Sequence, residues 1–359
     1  DSMEIRRKRL KKRRRRRRHC NYLEIDHSVI LLGTTAFGLF KLGKMERTNL
    51  SNIKNNGLKQ TGYTNVALFG LDSREKNLGK GNRTDTIMIA SINNETKKVK
   101  LVSVYRDTML KQNGEHYDKA NAAYSVGGPE TAVNMLNENL DLNIQDYVSV
   151  NFLALADVID MVDGITVKLT DEEVVHMNNY CVETSKVTGK KYKKIEPAVA
   201  GTYKLNGVQA VSYARIRYTA GGDYKRTERQ RLVLKKTADK LKQQDLATLN
   251  KIIDKVMPEV STSFTTKEIL SLATGAFDYE LGETTGFPFD LETPEQIPGY
   301  SGSYVIPKGL EENVIKLHQF LYPNKDYTPT ATVTDISNTL NDMTNVYPNT
   351  TESGTSQNE

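Results

Sequence analysis

The 359-residue sequence predicts a single αβα domain, a mixed central β-sheet flanked by helices, preceded by an N-terminal membrane anchor. Three observations predict it. Short apolar runs bounded by polar turns, at 65–70, 86–92 and 99–105, read as buried strands. They alternate with longer helical stretches, and no long Gly-, Pro- or Ser-rich break divides residues 64–325. A basic arm followed by an apolar segment lies ahead of them all.

Between residues 6 and 18 every side chain but Leu10 is basic, opposed only by Asp1 and Glu4. The arm therefore outweighs the chain's net charge of +6, and the body behind it is mildly acidic. Such an arm binds nucleic acid by counterion release, or fixes membrane orientation and touches anionic lipid. The apolar stretch that follows, 29–40, favours the membrane reading, so nucleic acid is not expected as a partner. The stretch is shorter than the ~20 residues of a usual span. No small-x-small cleavage site follows it, which favours an uncleaved signal anchor. The organisation expected is a cytoplasmic arm at 1–26, an anchor at 27–45, a polar linker at 46–63, a catalytic domain at 64–325 and a disordered Thr/Ser/Asn-rich tail at 326–359. Cys20 and Cys181 fall on opposite sides of the anchor and should not pair. Cys181 reads as a small residue in a loop or helix end.

Within the domain, the first strand breaks into Leu71-Asp72-Ser73-Arg74, which puts Asp72 at its carboxyl end. A turn at Gly79, Gly81 and Asn82 leads through Arg83-Thr84-Asp85 into the second strand. The third stops at Arg106-Asp107-Thr108. The crevice beyond such strand ends is where ligands bind in open α/β sheets. Two carboxylates plus substrate phosphate oxygens suit magnesium, a hard ion that retains waters. Gly128-Pro129-Glu130 opens a helix to residue 140. A strand is expected at 147–150, a helix at 152–161 and a strand at 165–169. Helices follow at 206–216 and 226–243, with a mobile Lys-rich insertion at 180–200 between them and the preceding strand. A helix at 310–321 closes the domain.

Arg215, Arg217, Asp223, Arg226, Arg229 and Gln230 crowd around Gly221-Gly222. Arg226, Arg229 and Gln230 have the i, i+3, i+4 spacing of one helical face, and Asp223 stands where an N-cap would sit. Guanidinium forks match phosphate oxygens bidentately, so this row suits a diphosphate; a solvated basic face is the alternative. The five histidines show no triad or zinc spacing.

Together these segments resemble the LytR-CpsA-Psr family of cell-wall glycopolymer transferases. The resemblance rests on Leu71 to Arg74, on Arg83-Thr84-Asp85-Thr86 and on Ser103-Val104-Tyr105-Arg106-Asp107-Thr108. It extends through 119–124 with Gly127-Gly128, and through 215–230, in the family's order. Tyr105 departs from the family's frequent proline and Arg231 from a frequent second glutamine; neither removes a needed charge.

The resemblance implies transfer of a glycopolymer, such as a wall teichoic acid or capsular polysaccharide, from a polyprenyl pyrophosphate donor to a peptidoglycan acceptor. It implies Mg²⁺ (or Mn²⁺) on Asp72 and Asp85, and Arg83, Arg106, Arg215, Arg217, Arg226 and Gln230 on the phosphates, with Asp223 orienting the arginines. Arg74, Lys119 and Arg229 extend the candidate diphosphate set, although Lys119, at an apparent helix start, reads equally as a solvated cap residue. Arg106, Asp107, Asp223 and Arg226 are the candidate catalytic residues. The base that accepts the sugar hydroxyl's proton is Asp107 or Asp223. The domain is expected outside the membrane of a Gram-positive type envelope. A different class of function stays open: a non-catalytic, membrane-bound regulator that binds prenyl phosphates or nucleic acid.

Overall fold

The computed structural model describes residues 46–71, 78–265, 267–268 and 278–349. The basic arm, the anchor, Asp72 and Arg74 lie outside the described residues. Among the described residues no helix is long and apolar enough to cross a membrane.

Strand β1 (Glu46–Arg47) precedes β2 (Tyr63–Leu71), β3 (Thr84–Asn93) and β4 (Lys98–Val104), the three strands expected from the apolar runs. A hairpin, β5 (Met109–Lys111) and β6 (Tyr117–Lys119), leads to helix α1 (Ala122–Leu140). Gly128 breaks α1 with φ 72°, so the regular run begins at Pro129, as the Gly-Pro-Glu signal implies. Strand β7 (Asp146–Asn151) passes straight into α2 (Phe152–Met161), whose N-cap Asn151 accepts a hydrogen bond from the Ala154 N–H.

β8 (Ile165–Leu169) is followed by α3 (Asp171–Thr188), then β9 (Gly201–Leu205), α4 (Gly207–Arg215), α5 (Gly222–Leu241) and α6 (Leu246–Val256). β10 (Val260–Thr262), β11 (Glu280–Phe287) and the short pair β12 (Leu291–Glu292) and β13 (Ile306–Pro307) precede α7 (Leu310–Leu321) and α8 (Ala331–Thr344). The central sheet has seven strands in the order β1-β10-β7-β2-β3-β4-β11. It is mixed: β2 runs parallel to β7 and antiparallel to β3, while β4 runs antiparallel to β3 and parallel to β11.

Alternation along the strands divides the core between the sheet's two faces. Ala67, Phe69, Ile87, Ile89 and Val102 pack with Val133 and Leu136 of α1 and Leu317 of α7. The opposite face, with Leu68 and Met88, looks toward α2, α4 and α5, which pack on β8 and β9 through Ile159, Val167, Val208 and Val233. Close approach there requires Gly207: a Cβ at that position would stand 2.2 Å from the Ala156 carbonyl oxygen.

Three expectations are corrected. The 326–359 tail is not wholly disordered. Its composition is polar, yet Val333, Ile336 and Leu340 of α8 share one buried face, and Thr330 caps the helix by accepting from the Val333 N–H. Asp141 ties this segment to α1 by accepting from the Tyr327 hydroxyl and from the Thr330 N–H and hydroxyl. The domain therefore runs well beyond residue 325.

The insertion at 180–200 is likewise half helix. α3 reaches Thr188 behind a capping box of Thr170 and Glu173, and Cys181 is buried in it. The remainder is pinned, because the Asn178 amide bonds both Ile195 backbone groups and Lys190 meets Asp157 and Asp160. Finally, α5 begins before Asp223. Gly221, at φ 89°, takes the N-cap, and Asp223 lies in the first turn.

Candidate functional site

Strand pairing, both parallel and antiparallel, brings distant segments to one edge of the sheet. Leu71 at the end of β2 pairs with Thr84 at the start of β3 and with Asn151 at the end of β7, and Ser103 near the end of β4 pairs with Met88. Asp85 and the Arg106-Asp107 pair therefore meet above this edge. The N-terminus of α5 joins them, adding the positive end of a helix dipole to the arginines.

Arg106 is the hub. Its Nη1 lies 2.6 Å from Asp85 Oδ1, and its Nε lies 3.5 Å from Asp107 Oδ2 and 3.9 Å from Asp223 Oδ1. Burial pulls its pKa down, but the carboxylates of Asp85, Asp107 and Asp223 outweigh that and leave it above the ordinary arginine value. Arg226 is only 2% exposed, forms an ion pair with Asp223 Oδ1 at 2.8 Å, donates to the Asp85 carbonyl at 3.3 Å, and its pKa is pulled by burial down to about 10. Arg217 Nη2 reaches within 3.6 Å of Asp85 Oδ1. Lys119 closes the rim with Nζ 3.0 Å from Asp107 Oδ1, at the end of β6 rather than at a helix start.

Several buried polar atoms here have no hydrogen-bond partner among the described residues: Arg106 Nε, Arg226 Nε and Nη1, Asp223 Oδ2 and Gln230 Oε1. Unmet buried groups cost about 1–3 kcal/mol each, so their clustering marks a place for a polar ligand rather than a structural network. Burial also raises the Asp223 pKa against the pull of Arg226 and Arg106.

Three predicted arginines make no contact with the cluster among the described residues. Arg229 engages all three of its nitrogens, on Glu173 (2.9 Å), the Ile216 carbonyl (3.3 Å) and the Thr219 hydroxyl (2.7 Å). Arg215 meets the Thr184 hydroxyl at 3.3 Å and Glu183 at 3.5 Å. Acceptors on α3 and the α4–α5 connection capture both, and local spacing carries no sign of such partners. Arg83 is exposed two residues before Asp85 and has no ion-pair partner among the described residues.

An apolar cavity of about 230 Å³ lies beside the charged cluster, between the second face of the sheet and the helices. Leu68, Met88 and Val150 form its floor, and Leu155, Ala214 and Leu234 its roof. Cavity and cluster adjoin: Thr86, in the cavity wall, follows Asp85, and Gln230, also in the wall, stands one helical turn from Arg226. Ala214 and Leu234 lie at ordinary helical spacing, and sequence periodicity does not separate groove lining from core.

Among the described residues no three His, Cys, Asp or Glu side chains are placed to hold a metal ion by themselves. Such a donor set does not suit a protein-caged transition metal. It does fit magnesium, which takes one or two carboxylates and completes its shell with phosphate oxygens and water, with the Asp85 carboxylate at hand.

The family model described as the LytR_cpsA_psr family matches residues 38–281. This chain belongs to the LytR-CpsA-Psr family. A relative in Streptococcus mutans, named biofilm regulatory protein A, is 30% identical over 66% of this chain and 60% of its own length. A Bacillus subtilis relative, named polyisoprenyl-teichoic acid–peptidoglycan teichoic acid transferase TagV, is 27% identical over 79% of this chain and 71% of its own. Regulatory protein MsrR of Staphylococcus aureus is 31% identical over half of each chain, 50% and 50%. Against several curated relatives the alignment thus spans under two thirds of their length. Among solved structures, protein gbs0355 of Streptococcus agalactiae superposes with a TM-score of 0.60 at 26% identity, over 78% of this LytR-CpsA-Psr chain and 94% of that one. The structure described as the LytR-CPS2A-psr family protein YwtF (TagT) with bound octaprenyl pyrophosphate lipid superposes at 0.53 and 22% identity, over 76% and 97%, and shares the fold.

Proposed function

We propose that the protein moves an anionic glycopolymer from a polyprenyl diphosphate donor to a sugar hydroxyl of peptidoglycan, on the outer side of the membrane. One observation carries the reading: a guanidinium cluster with unused donors, buried at Arg226 and half-buried at Arg106 and Arg217, adjoins an apolar cavity. That pairing is complementary to an amphipathic ligand, a hydrocarbon chain ending in a compact polyanion. The teichoic acid transferase name of the B. subtilis relative and the octaprenyl pyrophosphate in the TagT structure support it.

In this reading Arg106, Arg217 and Arg226 neutralise charge that builds on the diphosphate oxygens, and Lys119 positions Asp107. Asp85, with Asp72, would hold one magnesium ion, which supplies further neutralisation when bound. The acceptor oxygen bonds to the phosphorus bearing the glycan, the bond from that phosphorus to the bridging oxygen breaks, and prenyl monophosphate leaves. The hydroxyl proton goes to Asp223 or Asp107. Asp223 is the better acceptor, since burial makes it more basic and its Oδ2 is uncommitted. With water in place of the sugar the same site releases phosphate-ended polymer.

The test is to incubate the full chain with a lipid-diphosphate-linked glycan, uncrosslinked glycan strands and Mg²⁺, and to measure covalent product. Product formed by the wild type and lost in folded Arg106→Ala and Asp85→Ala variants is expected. Tight donor binding with no product under any divalent ion would reduce the protein to a prenyl-phosphate-binding regulator.

A further inference from the structure

Tyr218 is 74% exposed, yet it belongs to an ordered aromatic row. Its ring stacks on Tyr180 with centroids 6.4 Å apart and planes at 28°, and lies 6.3 Å from the His176 ring at 36°. His176 and Tyr180 are four residues apart on α3 and so share one face. Leaving a large aromatic in water forgoes the burial that normally stabilises it, and the charged cluster makes no use of the ring. What distinguishes Tyr218 is its address. It directly follows Arg217, whose Nη2 is 3.6 Å from Asp85 Oδ1 in that cluster.

From this geometry, and resting on the transferase reading above, we infer that Tyr218, backed by Tyr180 and His176, is a stacking platform for the first sugars of the donor glycan. A pyranose has an apolar face of C–H bonds and a rim of hydroxyls, so it needs a flat apolar surface bordered by hydrogen-bonding groups. The row is bordered in that way. Glu172 lies 3.8 Å from His176 Nε2, Glu183 lies 3.5 Å from Arg215 Nη2, and both carboxylates are more than half exposed. The first donor sugar is joined to the diphosphate by a single phosphoester linkage. A diphosphate held by Arg217 therefore delivers that sugar beside the next residue in the chain.

The experiment uses the full chain in detergent, as wild type, Tyr218→Ala and Tyr218→Phe. Three probes are titrated: a polyprenyl diphosphate without sugar, the same lipid bearing a disaccharide, and soluble uncrosslinked glycan strands followed by saturation-transfer NMR. Tyr218→Ala should weaken the glycosylated lipid about fivefold to tenfold and leave the sugar-free lipid unchanged. Tyr218→Phe should stay within about twofold of wild type, because the ring and not the hydroxyl makes the contact. Equal weakening of both lipids, or of neither, overturns the inference. A loss confined to the soluble strands overturns it in favour of an acceptor site. Failure of the wild type to bind even the sugar-free lipid would instead strike the diphosphate reading, and unchanged strand binding in Tyr218→Ala would then remove the platform as well.

Discussion

Replacing Arg226 by lysine separates charge from geometry at the centre of the site. Arg226 uses Nη2 for Asp223 and the Asp85 carbonyl, while Nε and Nη1 are buried without partners among the described residues. Lysine retains one positive charge and can hold Asp223, but a single ammonium on a flexible stem cannot present the other two donors. Each hydrogen bond from a charged donor to phosphate is worth about 1.5–3 kcal/mol. Two of them amount to about 3–6 kcal/mol, or roughly 10²- to 10⁴-fold in kcat/KM at ~1.4 kcal/mol per tenfold. Folding should suffer by no more than about 1–2 kcal/mol, since the pair with Asp223 survives. Arg229→Lys is the matched control. Each of its three nitrogens serves one of Glu173, Ile216 and Thr219, so about 1–3 kcal/mol of stability should go, with kcat/KM within about threefold of wild type. Steady-state kinetics with a lipid-diphosphate donor and thermal denaturation measure the two effects. An Arg226→Lys enzyme within about threefold of wild type, or an Arg229→Lys enzyme equally impaired in turnover, would refute the division of roles drawn here.

Three further outcomes are expected. Leu155→Trp, which fills the cavity from its roof, should raise KM for a long prenyl donor about tenfold while sparing a short-chain donor; equal effects on both would remove the cavity from the binding path. Leu340→Ala should lower the unfolding free energy by about 2–5 kcal/mol in denaturant titration, and truncation after residue 325 should cost more, because α8 is part of the core. His318 is buried, and burial depresses its pKa below the usual histidine value of about 6.5. Its neutral form is the one the fold favours, so its contribution is present above that unfolded value and is lost as pH falls through the folded one. His318→Gln should therefore flatten the decline of Tm on the acid side of neutrality, and parallel Tm–pH curves would assign that decline elsewhere.

Much of the architecture was legible before any coordinates. The strands β2, β3 and β4, the junction from β7 into α2, and helix α7 all follow from local apolar spacing and punctuation, which act over a few residues. Arg106, Asp85, Asp223 and Arg226 were legible as well, because charged side chains beside strand ends and a Gly-Gly turn announce themselves. Arg215 and Arg229 were misplaced for a definite reason: nothing near them in sequence indicates that Glu183 and Glu173 will take their donors. α8 was missed because polar composition masked a narrow buried stripe.

By itself, then, the chain's order of residues determined the elements, the family-type motifs and the chemistry on offer, a surplus of forked cations near a few carboxylates. Only the tertiary structure decided which cations work together and where an apolar chain can lie. Arg226 meets the Asp85 carbonyl across 141 positions of sequence, and one sheet face is filled by α1 and α7 while the other is left with a cavity under α2, α4 and α5. Periodicity reports that a side chain turns inward; what it finds there depends on strand order, helix packing and competition among distant partners.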